Sequence, residues 1–508
     1  MGPAASELER RRAGVCLHLS SLPGPRGIGE LGAAAFRFVD WLRARNLSVW
    51  QFLPTGPTGY GNSPYQPLSV FAGNPWLIDL ECLADWELLS RPESDCRLPE
   101  AESEIDFDRI AAVRQPLLER AADRLLASRD SGLREEFDAF AAREGTAWLD
   151  AYAAFAVFKA ANGEQAWPFW REPERRAAAG AIDLCRAEHR SAWDRIRVIQ
   201  FLFARQWRAL REYAAARGVL LFGDVPIYMA LDCAEAWADP GLLALDESFR
   251  PLELAGVPPD YFSADGQLWG NPIYRWDAQE ADGFHWWITR LEHALAAADL
   301  VRLDHFRAFD AYWSIAAGAV TAREGRWCPG PGSRFFDALG AALGRMPFVA
   351  EDLGLITESV TALRRAYALP GMQVLQFLVD QPGFDAGAIG EDTVCYTGTH
   401  DNDTTVGWYA GSSGRLGSAA LDAFRALVAR NVEDAGEGIH KAMIQLCFRT
   451  RSRLAITPLQ DLLGLDSRAR LNTPGQAAGN WRWRVTEALL EADDPDWIGA
   501  LAATTGRA

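Results

Sequence analysis

Short apolar runs rich in valine, isoleucine and leucine alternate along this chain with longer stretches whose apolar residues return every three or four positions. The first pattern suits strands buried on both faces, the second helices with one buried face. Eight runs read as strands: residues 15–19, 49–53, 219–225, 300–304, 348–351, 373–377, 394–396 and 453–457. Between the second and third, Phe203, Trp207, Leu210 and Ala214 occupy one helical face, and Gly218 stands where a glycine ends a helix. Trp287, Leu291 and Leu295 form another stripe just before the fourth strand, and Thr357 stands where the helix after the fifth would be capped. Strands alternating with crossover helices predict an α/β fold with a parallel sheet. Eight of them predict a (β/α)8 TIM barrel, with its chemistry at the C-terminal strand ends.

Two connections are too long for barrel loops. Residues 80–195 are helix-rich and charged, with Ile110, Val113, Leu117 and Ala121 marking one helix and residues 148–161 another. A helical subdomain inserted after strand two is expected. Residues 226–284 carry Val257-Pro-Pro-Asp-Tyr-Phe and Gly266-Gln-Leu-Trp-Gly-Asn-Pro. That density of Gly, Pro and Asn predicts a shaped loop subdomain after strand three, at the functional end of the barrel. The barrel would then be divided among residues 1–79, 196–225 and 285–508.

Composition narrows the function. A hydrophobic fraction of 49% is ample for a core, and no apolar run is long enough to span a bilayer. The net charge of −17 disfavours nucleic acid and anionic membranes as partners, so a neutral substrate fits better. Residues 1–14 are charged and lack the apolar segment of a signal peptide, which favours a cytoplasmic protein. Gly2 and Ser6 match a myristoylation spacing, interrupted by Pro3. The eight cysteines include no Cys-x-x-Cys pair and the seven histidines no ligand spacing, so reduced buried thiols are expected, with no metal and no cofactor. Lys159 and Lys441 are the only lysines and sit in helix-like stretches, which argues against Schiff-base and P-loop chemistry. Trp76, Trp237, Trp269, Trp327 and Trp408 lie in loop-like context, where flat rings suit stacking on sugars, although packing is the commoner role for any one of them.

The predicted strand ends carry Asp224, then Arg302, Asp304 and His305, then Glu351 and Asp352, then His400 and Asp401. Ionisable groups are normally kept out of such strands because desolvating a charge costs several kcal/mol. No Gly-x-Ser-x-Gly or other nucleophile motif accompanies them. Carboxylates alone perform glycosyl transfer: one protonates the leaving oxygen, another attacks the sugar, and a separation of about 5 Å gives retention. Each residue also has a plainer reading: Asp352 as a helix cap, Arg302 as an ion-pair partner of Asp304, His400 as a core histidine. Convergence of several strand ends on one mouth favours the chemical reading. Gly27-Ile-Gly29-Glu-Leu-Gly32 matches the dinucleotide fingerprint. Its glycines do not directly follow the strand, and the next strand ends without an acidic group for a ribose.

With these residues in view, the chain closely resembles the amylomaltases, the 4-α-glucanotransferases of glycoside hydrolase family 77. The resemblance runs through Ser21-Leu-Pro-Gly-Pro, Gly56-Pro-Thr-Gly-Tyr-Gly-Asn-Ser-Pro-Tyr-Gln, Gly223-Asp-Val-Pro-Ile, Gly256-Val-Pro-Pro-Asp-Tyr-Phe, Trp269-Gly-Asn-Pro, Val301-Arg-Leu-Asp-His-Phe, Ala350-Glu-Asp-Leu-Gly, Thr397-Gly-Thr-His-Asp-Asn-Asp-Thr and Arg470-Leu-Asn-Thr-Pro-Gly. Leu19, Ser20 and Cys233 depart from the family's pattern. The resemblance implies Asp304 as nucleophile, Glu351 as general acid/base and Asp401 as the carboxylate that stabilises the transition state. It implies Asp224, Arg302 and His400 around the reacting glucose, and Ser63, Tyr65, Trp269 and Asn472 lining the subsites. It further implies α-1,4-glucans and maltooligosaccharides as donors and glucose or maltose as acceptor, in a monomer or weak homo-oligomer. A hydrolase sharing the same intermediate is the nearest rival, and a non-catalytic glucan-binding barrel would be expected to lack a catalytic carboxylate. A general acid that turns into a base in the second step calls for a raised Glu351 pKa.

Overall fold

The computed structural model describes residues 10–508 apart from 99–102, 129–131, 177–178, 260–263, 380, 382, 416–424, 427, 429–437, 477 and 493–494. Gly2, Ser6 and the Asp260-Tyr261-Phe262 part of the loop motif lie outside the described residues.

Twelve strands are described: β1 (Arg12–Cys16), β2 (Val49–Gln51), β3 (Leu220–Val225), β4 (Glu253–Val257), β5 (Gln267–Pro272), β6 (Leu300–Leu303), β7 (Ala311–Ala316), β8 (Gly325–Pro329), β9 (Phe348–Ala350), β10 (Gly371–Val374), β11 (Thr393–Tyr396) and β12 (Leu454–Pro458). Eight of them form one sheet in the order β10-β11-β12-β1-β2-β3-β6-β9, every paired neighbour parallel. The two end strands approach each other as well: Ala350 N–H donates to the Pro370 carbonyl at 2.8 Å, just before β10. The sheet is therefore the expected (β/α)8 barrel, and each predicted strand overlaps one barrel strand.

Helices cover the barrel by burying the stripes seen in the sequence. Phe203, Trp207, Leu210 and Ala214 are buried on the helix Arg190–Ala216, and the chain reverses at Gly218 with φ 68°. Trp287, Leu291 and Leu295 are buried on His285–Ala297. Burying a leucine or phenylalanine in this way contributes about 1.5–3 kcal/mol. No described helix is long and apolar enough to cross a membrane.

At two strand ends a 3-10 turn replaces the last residues expected in the strand. β1 ends at Cys16, and Leu19–Ser21 is a buried 3-10 turn. After β10, Leu375–Phe377 is a 3-10 turn that points the amide of buried Gln376 at the Asp403 carbonyl, 2.9 Å away. In both places burial continues past the strand, through Leu19 after β1 and through Gln376 after β10, where Phe377 is exposed.

The segment after β2 is helical, as expected, although the buried face of Phe107–Ala127 is Ile110, Arg114, Leu118, Ala121, Ala122 and Leu125, leaving Val113 and Leu117 half-buried. Arg114 reaches back to Glu30 at 2.8 Å and ties this segment to the loop after β1. The helix Arg190–Ala216 is continuous through residue 195. The 226–284 segment is more than a shaped loop. Its strands β4 and β5 join β7 and β8, from beyond β6, in an antiparallel sheet ordered β5-β4-β7-β8. The sheet thus combines two segments that lie on either side of the Asp304 strand.

Candidate active site

Strands β3 and β6 are neighbours with Asp224 directly opposite Arg302, so both side chains leave the same face. Arg302 Nη1 donates to both oxygens of Asp224 at 2.9 and 2.7 Å, and its Nη2 lies 2.6 Å from Asp304 Oδ1. The Tyr65 hydroxyl donates to Asp224 Oδ2 at 2.8 Å. Burial works against the charge of Arg302, but Asp224 and then Asp304 raise its pKa well above the usual arginine value. The Asp224 side chain is fully enclosed whereas that of Asp304 is 27% exposed. One carboxylate therefore anchors the arginine, and the other is presented to solvent.

Glu351 follows β9 and is buried. Its Oε2 accepts the backbone N–H of His305 at 2.7 Å and its Oε1 that of Leu353 at 3.0 Å. Burial pushes its pKa up to about 7, with Arg302 opposing the rise and Asp304 adding to it. The donated N–H of His305 depends on a left-handed backbone, φ 51°, that a non-glycine residue seldom adopts. The half-buried His305 ring lies edge-on to Trp269 at 4.8 Å, and desolvation lowers its pKa to about 4. Its Nε2 is buried without a hydrogen-bond partner among the described residues.

Beyond β11, Asp401 Oδ1 accepts from Asn472 Nδ2 at 2.6 Å and lies 3.4 Å from His400 Nε2. Arg470 clasps this corner, donating to the carbonyls of Asp401 at 2.6 Å and Asn472 at 2.7 Å. The His400 ring is stacked on Tyr65, with centroids 5.1 Å apart. Ser63 Oγ accepts from the Tyr65 N–H at 3.2 Å and shapes the turn that carries the tyrosine.

The residues given catalytic or substrate-binding roles form one contact network. Asp304, Arg302, Asp224, Tyr65, His400, Asp401 and Asn472 make a continuous path. Glu351 and Trp269 join through His305, and Ser63 joins through Tyr65. Three nearby residues received no role from the sequence, although His305 stands at the same strand end as Asp304. His305 acts through its backbone N–H, which no side-chain motif reveals. Trp481, with its ring 5.9 Å from Tyr65 and 6.1 Å from His400, is an aromatic residue in a polar loop. His18, held down to about 3 by burial and then by the charge of His400, stood beside a strand end.

Several plainer readings resolve. Asp352 is not a helix cap: its carboxylate accepts from Met372 N–H at 2.7 Å and pairs with Arg364 at 3.1 Å, tying β9 to β10. Thr357 occupies the cap position, but its hydroxyl meets Ser359 Oγ at 2.9 Å instead of a helix N–H. Trp237 is core, packed among Phe155, Phe158 and Trp170. The glycines of the dinucleotide-like stretch make room for the protein's own chain. A Cβ on Gly29 would come within 1.9 Å of the Leu19 carbonyl and one on Gly32 within 1.9 Å of Asp79 Oδ2. Glu30 between them is buried in ion pairs with Arg26 and Arg114. Of the eight cysteines, all free, five are buried and Cys82, Cys96 and Cys328 are half-buried.

A family model described as 4-alpha-glucanotransferase, of glycoside hydrolase family 77, matches residues 17–490. The chain is 43% identical to the 4-alpha-glucanotransferase of Thermus thermophilus over 98% of its length and 99% of the relative's. It is 42% identical to that of Synechocystis sp., covering 97% and 96% of the two chains. Among solved structures, the amylomaltase from Streptococcus agalactiae in complex with acarbose superimposes with a TM-score of 0.92 at 34% identity, over 98% of this chain and 100% of that one.

Proposed function

The chain belongs to the 4-α-glucanotransferases of glycoside hydrolase family 77, and we propose that it transfers α-1,4-glucan segments by a retaining double displacement in which Asp304 is the nucleophile and Glu351 the acid/base. The observation that carries this reading is the contrast between two neighbouring carboxyls. Asp304 is ion-paired and partly exposed, while Glu351 is buried, hydrogen-bonded at both oxygens and raised to about 7. Environments that separate two carboxyls in this way suit one to attack as an anion and the other to donate a proton.

In the first step Asp304 attacks the anomeric carbon while Glu351 gives its proton to the glycosidic oxygen. The C–O bond breaks and the leaving glucan departs with a free 4-OH. In the second step the Glu351 carboxylate takes a proton from the 4-OH of an acceptor, whose oxygen displaces Asp304 and restores the α linkage. Arg302 holds Asp304 Oδ1, leaving the other oxygen for attack. Asp401, oriented by Asn472, binds sugar hydroxyls and stabilises the positive charge that develops on the ring. His400 stacked on Tyr65, together with the Asp224–Arg302 pair, frames the reacting glucose. Ser63 and Trp269 line the neighbouring subsites. The donors are α-1,4-glucans and maltooligosaccharides, glucose or maltose serves as acceptor, and the enzyme works in the cytoplasm as a monomer or weak homo-oligomer.

Incubation with maltotriose tests the reading. Free glucose accompanied by oligosaccharides longer than the substrate is the expected product pattern. Conversion to maltose and glucose alone would mean that water is the acceptor.

A further inference from the structure

One exposed aromatic residue outside this network is held unusually firmly. Trp327 on β8 is 39% exposed and faces its cross-strand partner Trp313 at 5.1 Å, edge-on. The guanidinium of Arg307 lies 3.7 Å from the centroid of its ring. Arg307 is itself buried and donates to the Leu355 carbonyl, and the Leu355 side chain is 56% exposed. An exposed tryptophan with a buried cation across its face and a second aromatic against its edge loses little freedom when a ligand covers it.

The chain path relates this cluster to the reaction. Arg307 is three residues beyond Asp304 and Leu355 four beyond Glu351. At no more than about 3.5 Å per residue, they lie within roughly 11 and 14 Å of those residues along the backbone. Phe306 anchors the first of these segments to the second by donating its N–H to the Glu351 carbonyl at 3.0 Å. Resting on the assignment of Glu351 as acid/base, we propose that Trp327 and Leu355 form an outlying subsite for the acceptor arm, where a glucose unit of the incoming or departing glucan stacks on the indole. The acid/base addresses the oxygen that joins the reacting sugar to the leaving chain, so the segment leading away from Glu351 underlies that chain and not the donor's other arm. A flat amphipathic ring and an apolar side chain match the apolar face of a sugar, and neither carries a charge that a neutral glucan would have to desolvate.

Transfer from a fixed donor to acceptors of increasing length tests this in the full-length enzyme. Trp327→Ala is expected to raise KM for maltotetraose as acceptor roughly tenfold, leaving its kcat and the KM for glucose unchanged, while Trp327→Phe retains most of the affinity. Leu355→Ser, at a position too exposed to unsettle the fold, should raise the maltotetraose KM severalfold and serves if Trp327→Ala fails to fold. Equal rises for glucose and maltotetraose, no rise for either, or an effect that follows donor length instead would overturn the proposal. Wild-type enzyme without transfer to any acceptor would instead contradict the catalytic assignment on which it rests.

Discussion

The backbone N–H of His305 donates to Oε2 of Glu351 at 2.7 Å. The residue that follows the proposed nucleophile thus fixes the proposed acid/base, and the two carboxyls are positioned by one turn of chain. His305 pays for this with a left-handed backbone, φ 51°, a conformation that costs a non-glycine residue about 1 kcal/mol or more. Hydrogen bonds from His305 and Phe306 to the same glutamate hold it there.

The raised pKa of Glu351 gives the pH dependence a sign. Glu351 has to be protonated for the first step, so kcat/KM should fall as pH rises through about 7. Glu351→Gln should lower kcat by about 10²–10⁴-fold, and its residual activity should lack that basic limb. Stability carries the same signature. Between the unfolded glutamate value and about 7 the folded state binds more protons, so stability falls as pH rises across that window, by roughly 3 kcal/mol from this group. Urea unfolding of wild type and Glu351→Gln at several pH values should show a shallower slope in the variant.

The ion-pair triad separates activity from stability. Asp304→Asn leaves Arg302 bonded to both oxygens of Asp224, so unfolding should shift by no more than about 1 kcal/mol while kcat drops by at least about 10³-fold. Arg302→Met instead strands the enclosed carboxylate of Asp224 with the Tyr65 hydroxyl, and should cost about 3–5 kcal/mol of stability. Urea titrations set beside initial rates distinguish the two outcomes.

Asn472 holds Asp401 at 2.6 Å, and the Asp401 side chain is 46% exposed. Asn472→Ala should lower kcat/KM roughly tenfold, the worth of one hydrogen bond to a charged group, with little change in melting temperature. A drop in melting temperature without a change in rate would assign Asn472 to the loop and not to catalysis.

Much of the barrel is legible in the sequence because parallel strands are buried on both faces and appear as apolar runs. The small antiparallel sheet escapes that reading. β8 is mostly exposed, and β4 and β5 mix glycine and polar residues with their apolar ones, so their pairing comes from tertiary context. The charges of Arg302, Asp304 and Glu351 stand out against apolar strands, which made them visible. The bond from Asn472 to Asp401 joins residues 71 positions apart, and the support from His305 comes through its backbone. Neither leaves a periodic or compositional trace.

The most direct test of the central claim is to trap the glycosyl-enzyme intermediate with a fluorinated glycosyl fluoride that forms it faster than it breaks down, and to map the label by mass spectrometry after trypsin digestion. Cleavage after Arg302 and Arg307 isolates residues 303–307. The added sugar mass is predicted on that peptide, at Asp304. A label on the peptide containing Glu351 or Asp401, or inactivation that leaves residues 303–307 unmodified, would contradict it.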